Sequence, residues 1–168
     1  EHEGTYPLPE AQRDRFMLEL AIGYPTRQAE IEILETHGRT TTLLADLQPV
    51  ADAPTVAAMI DNCKTVHVAD TLKRYIVDLV RATRDHADLA LGGSPRAALS
   101  LLRASRAAAA TAGRDYVVPD DVKELVTPVL AHRMITAPEA QMIGRTTADV
   151  LDDNVEQVPI PIRGRGQP

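Results

Sequence analysis

Apolar residues recur at helical spacing in three separate stretches of the chain, and this periodicity sets the fold class. Leu72, Ile76, Leu79, Val80 and Thr83 share one face, and so do Val122, Leu125, Val126, Val129 and Leu130. A shorter run of Val56, Met59, Ile60 and Cys63 has the same pattern. Each is expected to be the buried face of an amphipathic helix. Composition agrees. Hydrophobic residues make up 44% of the chain and can fill a core, but aromatics are only 3% and Trp is absent. A core of Leu, Ile, Val and Ala favours packed helices over a β-sandwich.

Local signals place the element boundaries. Residues 9–17 read as a short helix with Pro9 near its start. Residues 16–22 read as a strand, with Leu18, Leu20 and Ile22 on one side, ending at Gly23-Tyr24-Pro25. A lone strand has no ladder partner, so this one belongs to a sheet the chain does not itself supply. Thr26 is suited to cap a helix ending near Gly38, and residues 39–53 read as a loop. A helix follows from Pro54. Val66-His67-Val68 is long enough only for a β-bridge, to which Tyr116-Val117-Val118 is the candidate partner. Asp70 is expected to cap a helix through about Asp85. Another helix runs to Gly113 through the alanine run at 107–110. The last strong helix follows Pro119, with Asp120 and Asp121 favourable in its first turn and Pro128 expected to kink it. Beyond Ala137 the helical signal fades, and residues 152–168, with Pro159, Pro161, Gly164, Gly166 and Pro168, read as an extended tail. The expected architecture is mainly α: an orthogonal bundle of four or five helices preceded by a helix–strand piece.

Charge and cysteine content exclude several classes. The 168 residues carry a formal net charge of −6, which disfavours nonspecific nucleic-acid binding and anionic membranes. Cys63 is the sole cysteine and cannot form an internal disulfide, so a reducing, cytoplasmic setting is expected. Its place on an apolar stripe predicts a core position. No stretch approaches the roughly 20 apolar residues of a membrane span, and no signal peptide is visible. A start at Glu1 without Met suits a fragment or processed product. His2, His37, His67, His86 and His132 lack metal-ligand spacing, so no metal site is expected. Asp120-Asp121 and Asp152-Asp153 read as a helix start and a solvated turn. Arg163-Gly-Arg-Gly166 reads as tail.

One residue stands out chemically. Arg96 follows Gly92-Gly93-Ser94-Pro95, in which Ser94 is a good N-cap and Pro95 fits the first helical position. A cation in the first turn opposes the helix dipole by roughly 0.3–1 kcal/mol, whereas the free N–H groups of the same turn attract anions. Arginine at this place therefore suggests a phosphate-facing site. Without a ligand, Arg96 would be a structural arginine bonded to a carbonyl or carboxylate. The corresponding reading of Arg15 is a surface arginine paired with Asp14 or Glu19. Arg133, near a helix C-terminus, is favourable for the dipole alone.

Gly4-Thr-Tyr-Pro-Leu-Pro-Glu-Ala-Gln-Arg-Asp-Arg-Phe16, followed by Ile22-Gly-Tyr-Pro25, resembles the MoxR family of AAA+ ATPases. Thr83-Arg84, Gly92-Gly-Ser-Pro-Arg-Ala97, Tyr116-Val117-x-Pro119-x-Asp121-Val122 and Val129-Leu-x-His-Arg133 agree in order. The resemblance implies that residues 1–25 end a P-loop core, residues 26–137 form the helical lid, and residues 138–168 are a C-terminal extension. It implies ATP and Mg²⁺ as cofactors of the whole ATPase, a homo-oligomeric, hexameric ring, von Willebrand factor A-domain partners, and chaperone-like remodelling or maturation of other complexes. Arg15 matches the arginine finger that reaches a neighbouring subunit's ATP. Arg96 matches sensor 2, which contacts nucleotide in its own subunit. Tyr24 and Pro25, at the hinge, are expected to flank adenine. Arg13 stands where the family more often has an apolar residue, but Arg13 and Arg15 point to different sides of a helix. The chain contains no Gly-x-x-x-x-Gly-Lys-Ser/Thr loop and no apolar strand ending in an acidic pair, so alone it is expected not to hydrolyse ATP. The alternative is a stand-alone helical interaction module without nucleotide chemistry.

Overall fold

The computed structural model describes residues 8–37 and 47–160. Of these, residues 8–19 and 61–160 form one compact unit, and residues 20–37 and 47–60 form another. The described chain is mainly α, as expected. Its elements are α1 (Glu10–Arg13), α2 (Arg27–His37), α3 (Ala53–Thr65), α4 (Asp70–Ala82), β1 (Leu89–Leu91), α5 (Pro95–Thr111), α6 (Pro119–Leu130), β2 (Ile135–Thr136), α7 (Pro138–Met142) and α8 (Thr147–Gln157).

The larger unit is built around α4, α5, α6 and α8. Leu72, Ile76, Leu79, Val80 and Thr83 of the expected stripe are all buried, together with Tyr75. On α6, Val122, Val126, Val129 and Leu130 are at most 1% exposed. Leu101, Ala104 and Ala109 of α5 join the same core. Small residues on α5 suit its packing against α6, because alanine lets backbones approach closely. β1 pairs antiparallel with β2, with Leu89 opposite Thr136 and Leu91 opposite Ile135. The expected bridge also forms, His67 to Tyr116, through His67 N–H to Asp115 O at 2.8 Å and Val117 N–H to His67 O at 3.0 Å. Gly113 takes φ +71 just past α5, the left-handed position that ends a helix without a Cβ penalty.

Several expectations are corrected. The helix expected over 9–17 is one turn long, and residues 16–22 form no strand. Leu20 is 73% and Ile22 98% exposed. Alternation had marked the segment as strand-like, but a strand requires a neighbour to bond its N–H and C=O groups. Asp70 does not cap α4; it is the first helical residue and pairs with Lys73 at 2.8 Å, while Ala69 holds the cap position. The expected tail is also partly helical. α7 and α8 lie within 138–157, and Val150 and Leu151 of α8 are buried in the bundle. Thr146 accepts from Asp149 N–H, and the Asp149 carboxylate returns to Thr146 N–H, a reciprocal cap that starts α8. Arg145 ties the preceding loop to Asp88 and Asp153. Residues 161–168, including the arginines of the Arg163–Gly166 stretch, lie outside the described residues.

The smaller unit contains α2 and the first two turns of α3. Thr26 Oγ1 accepts from Ala29 N–H at 3.3 Å, the cap expected for α2; Gly38 and residues 39–46 lie outside the described residues. α3 starts where expected, helped by Asp52 Oδ1 accepting from Thr55 N–H at 2.8 Å. Its apolar stripe is not buried. Val56, Met59 and Ile60 are about half exposed, and Cys63 is only half-buried rather than core. Spacing shows which residues share a helix face; it does not supply the surface that covers them.

Candidate functional site

The turn before α5 is held from below by α4. Thr83 Oγ1 donates to Val80 O at 2.6 Å and accepts from Gly93 N–H at 2.9 Å. Arg84 Nε donates to Gly93 O at 2.7 Å. At Gly92 the backbone approaches so closely that a Cβ would lie 2.6 Å from Thr83 O. The Thr83-Arg84 and Gly92-Gly93 motifs are therefore two halves of one clasp. It delivers Ser94 to the N-cap, where its side chain accepts from Ala97 N–H, with Pro95 in the first turn.

Arg96 follows on the exposed side of that first turn. It has no hydrogen-bonded or ion-paired partner among the described residues, neither the carbonyl nor the carboxylate that a structural arginine was expected to hold. Arg15 is likewise exposed and without a side-chain partner among the described residues; neither Asp14 nor Glu19 takes it. The two arginines line one cleft of about 370 Å³ with Met17, Leu99, Ser100 and Arg103. Arg103 lies two turns beyond Arg96 on the same helix, and the sequence reading did not single it out. Its signal was the spacing 96, 99, 100, 103, which is one helical face. Arg13 turns elsewhere, into a separate cleft with Leu8, Phe16, Leu18, Glu19 and His132. Tyr24 is 98% exposed, and both it and Pro25 belong to the smaller unit.

The segment carrying Arg15 is fixed by a residue read from sequence only as a helix-end cation. Arg133 follows the C-terminus of α6 in a 3₁₀ turn, and its side chain is 1% exposed. Nε donates to Val129 O at 2.8 Å, and Nη1 donates to both Asp14 O and Asp14 Oδ1 at 2.8 Å. Nη2 reaches Phe16 O and, at 2.9 Å, Ser100 Oγ. The Asp14 carboxylate also accepts from Ser94 Oγ at 3.1 Å. Where α6 ends, Pro128 O accepts from Glu19 N–H at 2.9 Å. Residues 14–19 thus lie along the ends of α5 and α6 although they form no regular element.

Three guanidinium groups without carboxylate partners among the described residues, beside the N-terminal turn of a long helix, suit a ligand carrying several negative oxygens. Among the described residues no group of three or more His, Cys, Asp or Glu is placed to hold a metal, and no helix is long and apolar enough to cross a membrane.

Comparison with known proteins matches the AAA lid domain family over residues 81–154. The chain is 37% identical over 163 residues to the uncharacterised protein YeaC of Bacillus subtilis, covering 97% of this chain and 51% of that protein. It is 40% identical over 149 residues to the chaperone MoxR1 of Mycobacterium tuberculosis, covering 83% of this chain and 39% of that protein. A crystal structure from Cytophaga hutchinsonii, assigned provisionally as an ATPase, superposes with a TM-score of 0.88 at 33% identity, over 96% of this chain and 52% of that one. The chain thus spans about half the length, or less, of the relatives it matches. With the lid-domain match centred on the helices that carry Arg96 and Arg133, and with these relatives along most of its length, the chain belongs to the MoxR family of AAA+ ATPases.

Proposed function

We propose that this chain is the C-terminal part of a MoxR-type ATPase that remodels or matures partner complexes at the expense of ATP. Its cleft receives the triphosphate of an ATP held by the P-loop of a ring subunit. The observation that carries the reading is the shared cleft: Arg15 and Arg96 line it together, exposed and without acidic partners among the described residues. Residues 1–25 then close the ATPase core, and the lid extends beyond residue 137 to include α8. The ring is a homo-oligomer, a hexamer by resemblance, working in the cytoplasm with von Willebrand factor A-domain partners.

On this reading we depart from one expectation of the resemblance. The family resemblance divided the two arginines between two nucleotides, the finger across a subunit boundary and sensor 2 within its own subunit. Two guanidinium groups on one cleft of one unit favour a single triphosphate, so both act on the ATP of the adjacent subunit. Bound MgATP supplies the transferable phosphoryl group, and residues of the ATPase other than those described hold the metal. The contribution of this chain is electrostatic. Arginine stays charged and offers paired donors to phosphate oxygens as charge moves in the transition state. Tyr24 and Pro25 remain the proposed flank for adenine.

The test is ATP turnover by the intact protein. Arg15→Ala is expected to lower kcat by about 10³-fold or more, the usual range for a lost finger. Arg96→Ala is expected to lower turnover without dissociating the ring. The 168-residue chain alone is expected to show none. Unchanged turnover in the Arg96 variant would favour the stand-alone interaction module instead.

A further inference from the structure

Ser100 sits one turn beyond Arg96 on α5. It is only 8% exposed, yet it lines the arginine cleft. A hydroxyl has one proton to give and two lone pairs to receive with. One lone pair of Ser100 Oγ accepts from Arg133 Nη2 at 2.9 Å. Buried helical hydroxyls commonly return their proton to the carbonyl four residues back. Ser105 does so to Leu101 O at 2.8 Å, as the exposed Thr111 does to Ala107 O at 2.9 Å. Ser100 makes no such bond to Arg96 O, and its proton has no acceptor among the described residues. A buried donor without an acceptor is unfavourable, and an oxyanion in the cleft would relieve it.

We propose that Ser100 is a neutral phosphate-binding donor in this cleft, and that the buried Arg133 is the positioning residue that aims it. The proposal rests on the reading of the cleft as a polyphosphate site and names two residues of that site. Arg133 is fixed on every side, by Val129 O, by Asp14 and by Phe16 O, so its plane cannot follow the serine. Its Nη2–H occupies the inner lone pair of Ser100 and leaves the hydroxyl proton to turn towards the cleft. Asp14 balances the Arg133 charge at 2.8 Å, so Arg133 contributes direction rather than net attraction. The same guanidinium holds the backbone around Arg15, and Asp14 also bonds Ser94, the cap of the helix bearing Arg96. One buried side chain therefore sets the relative positions of the two charged contacts and the neutral one. The ligand class is a chain of linked phosphates, long enough to reach Arg15, Arg96 and Ser100 together.

The test is titration of the 168-residue chain with inorganic tripolyphosphate by calorimetry at several salt concentrations, with thermal unfolding to confirm each variant is folded. Ser100→Ala is expected to weaken binding about tenfold, as for a lost hydrogen bond to a charged group, with the salt dependence unchanged. Ser100→Thr, which keeps the hydroxyl, is expected to recover most of it. Arg96→Gln is expected to weaken binding and to flatten the salt dependence, because a charge has been removed. Arg133→Lys is expected to weaken binding by a larger factor in the native background than in the Ser100→Ala background, where only its hold on the Arg15 segment is lost. Native affinity in a folded Ser100→Ala variant overturns the assignment of Ser100 while leaving the arginine site intact. Equal losses from Arg133→Lys in both backgrounds make Arg133 structural only. No tripolyphosphate binding by the native chain overturns the cleft reading and this proposal with it.

Discussion

The Arg133 guanidinium meets the Asp14 carboxylate at 2.8 Å across 119 residues of sequence, with the arginine side chain 1% exposed. This pair holds an irregular segment where no helix or strand could. Breaking it from the two sides should differ. Arg133→Met strands Asp14 O and takes the charged donor from the Asp14 carboxylate and Phe16 O, and a loss of about 3–5 kcal/mol is expected. Asp14→Asn keeps an acceptor oxygen for Arg133 and for Ser94, so about 1 kcal/mol is expected. Urea unfolding of the two variants checks the ratio, and equal small losses would show that the pair contributes little.

The clasp beneath Arg96 makes a second prediction. Gly92→Ala puts a methyl 2.6 Å from Thr83 O, which is backbone and cannot step aside, so the α4–α5 connection must shift. A loss of about 1–3 kcal/mol is expected. Thr83→Val has nearly the same shape but strands Gly93 N–H, with a similar expected loss. Both variants should also weaken tripolyphosphate binding, since the clasp sets the direction of the helix that presents Arg96. Stability measured beside binding separates the two effects.

The helices were legible because their burial is local in origin. The stripe on α4 and that on α6 are buried by one another's neighbours within this chain, so periodicity sufficed. The same periodicity misled at α3, whose Val56, Met59 and Ile60 have no covering surface among the described residues. Alternation misled at residues 16–22 for a related reason, since pairing is a property of two segments. Two lining residues of the proposed cleft drew notice in the sequence, Arg96 through Ser94 and Pro95 and Arg15 through the family motif. Arg133 and Ser100 did not, because their significance lies in one contact across 33 residues, which no local pattern encodes.

The segment after Ala137 gives a third prediction. Its helix α8 is short and starts with Thr146 and Asp149 rather than the commoner Thr and Glu, so its cap is easy to overlook. Leu151 is nevertheless 1% exposed in the core. Leu151→Ala is expected to cost about 2–5 kcal/mol, as for other buried leucines. Leu20→Ala, at a residue 73% exposed, is expected to change stability by less than about 0.5 kcal/mol. Thermal unfolding of the pair decides whether α8 belongs to the folded lid or merely rests on it.

Acid should weaken the fold at the turn into α6. Asp121 accepts from both terminal nitrogens of Arg114 and from Val118 N–H at 2.8 Å. The hydrogen-bonded Arg114 guanidinium, helped by that backbone donor, holds the Asp121 carboxyl below its usual range, although burial opposes the shift. A carboxylate whose pKa is lower in the folded state binds fewer protons folded than unfolded. Its stabilisation is complete above the unfolded-state value of about 3.9 and is lost as pH falls through the folded value. Native protein is therefore expected to lose stability steeply below about pH 4. Asp121→Asn, which cannot ionise, should be less stable at neutral pH and show a shallower acid slope. Unfolding free energies from pH 7 down to pH 2 check this. Parallel curves for the two proteins would mean that other carboxylates govern acid unfolding and that the Arg114 pair is incidental to it.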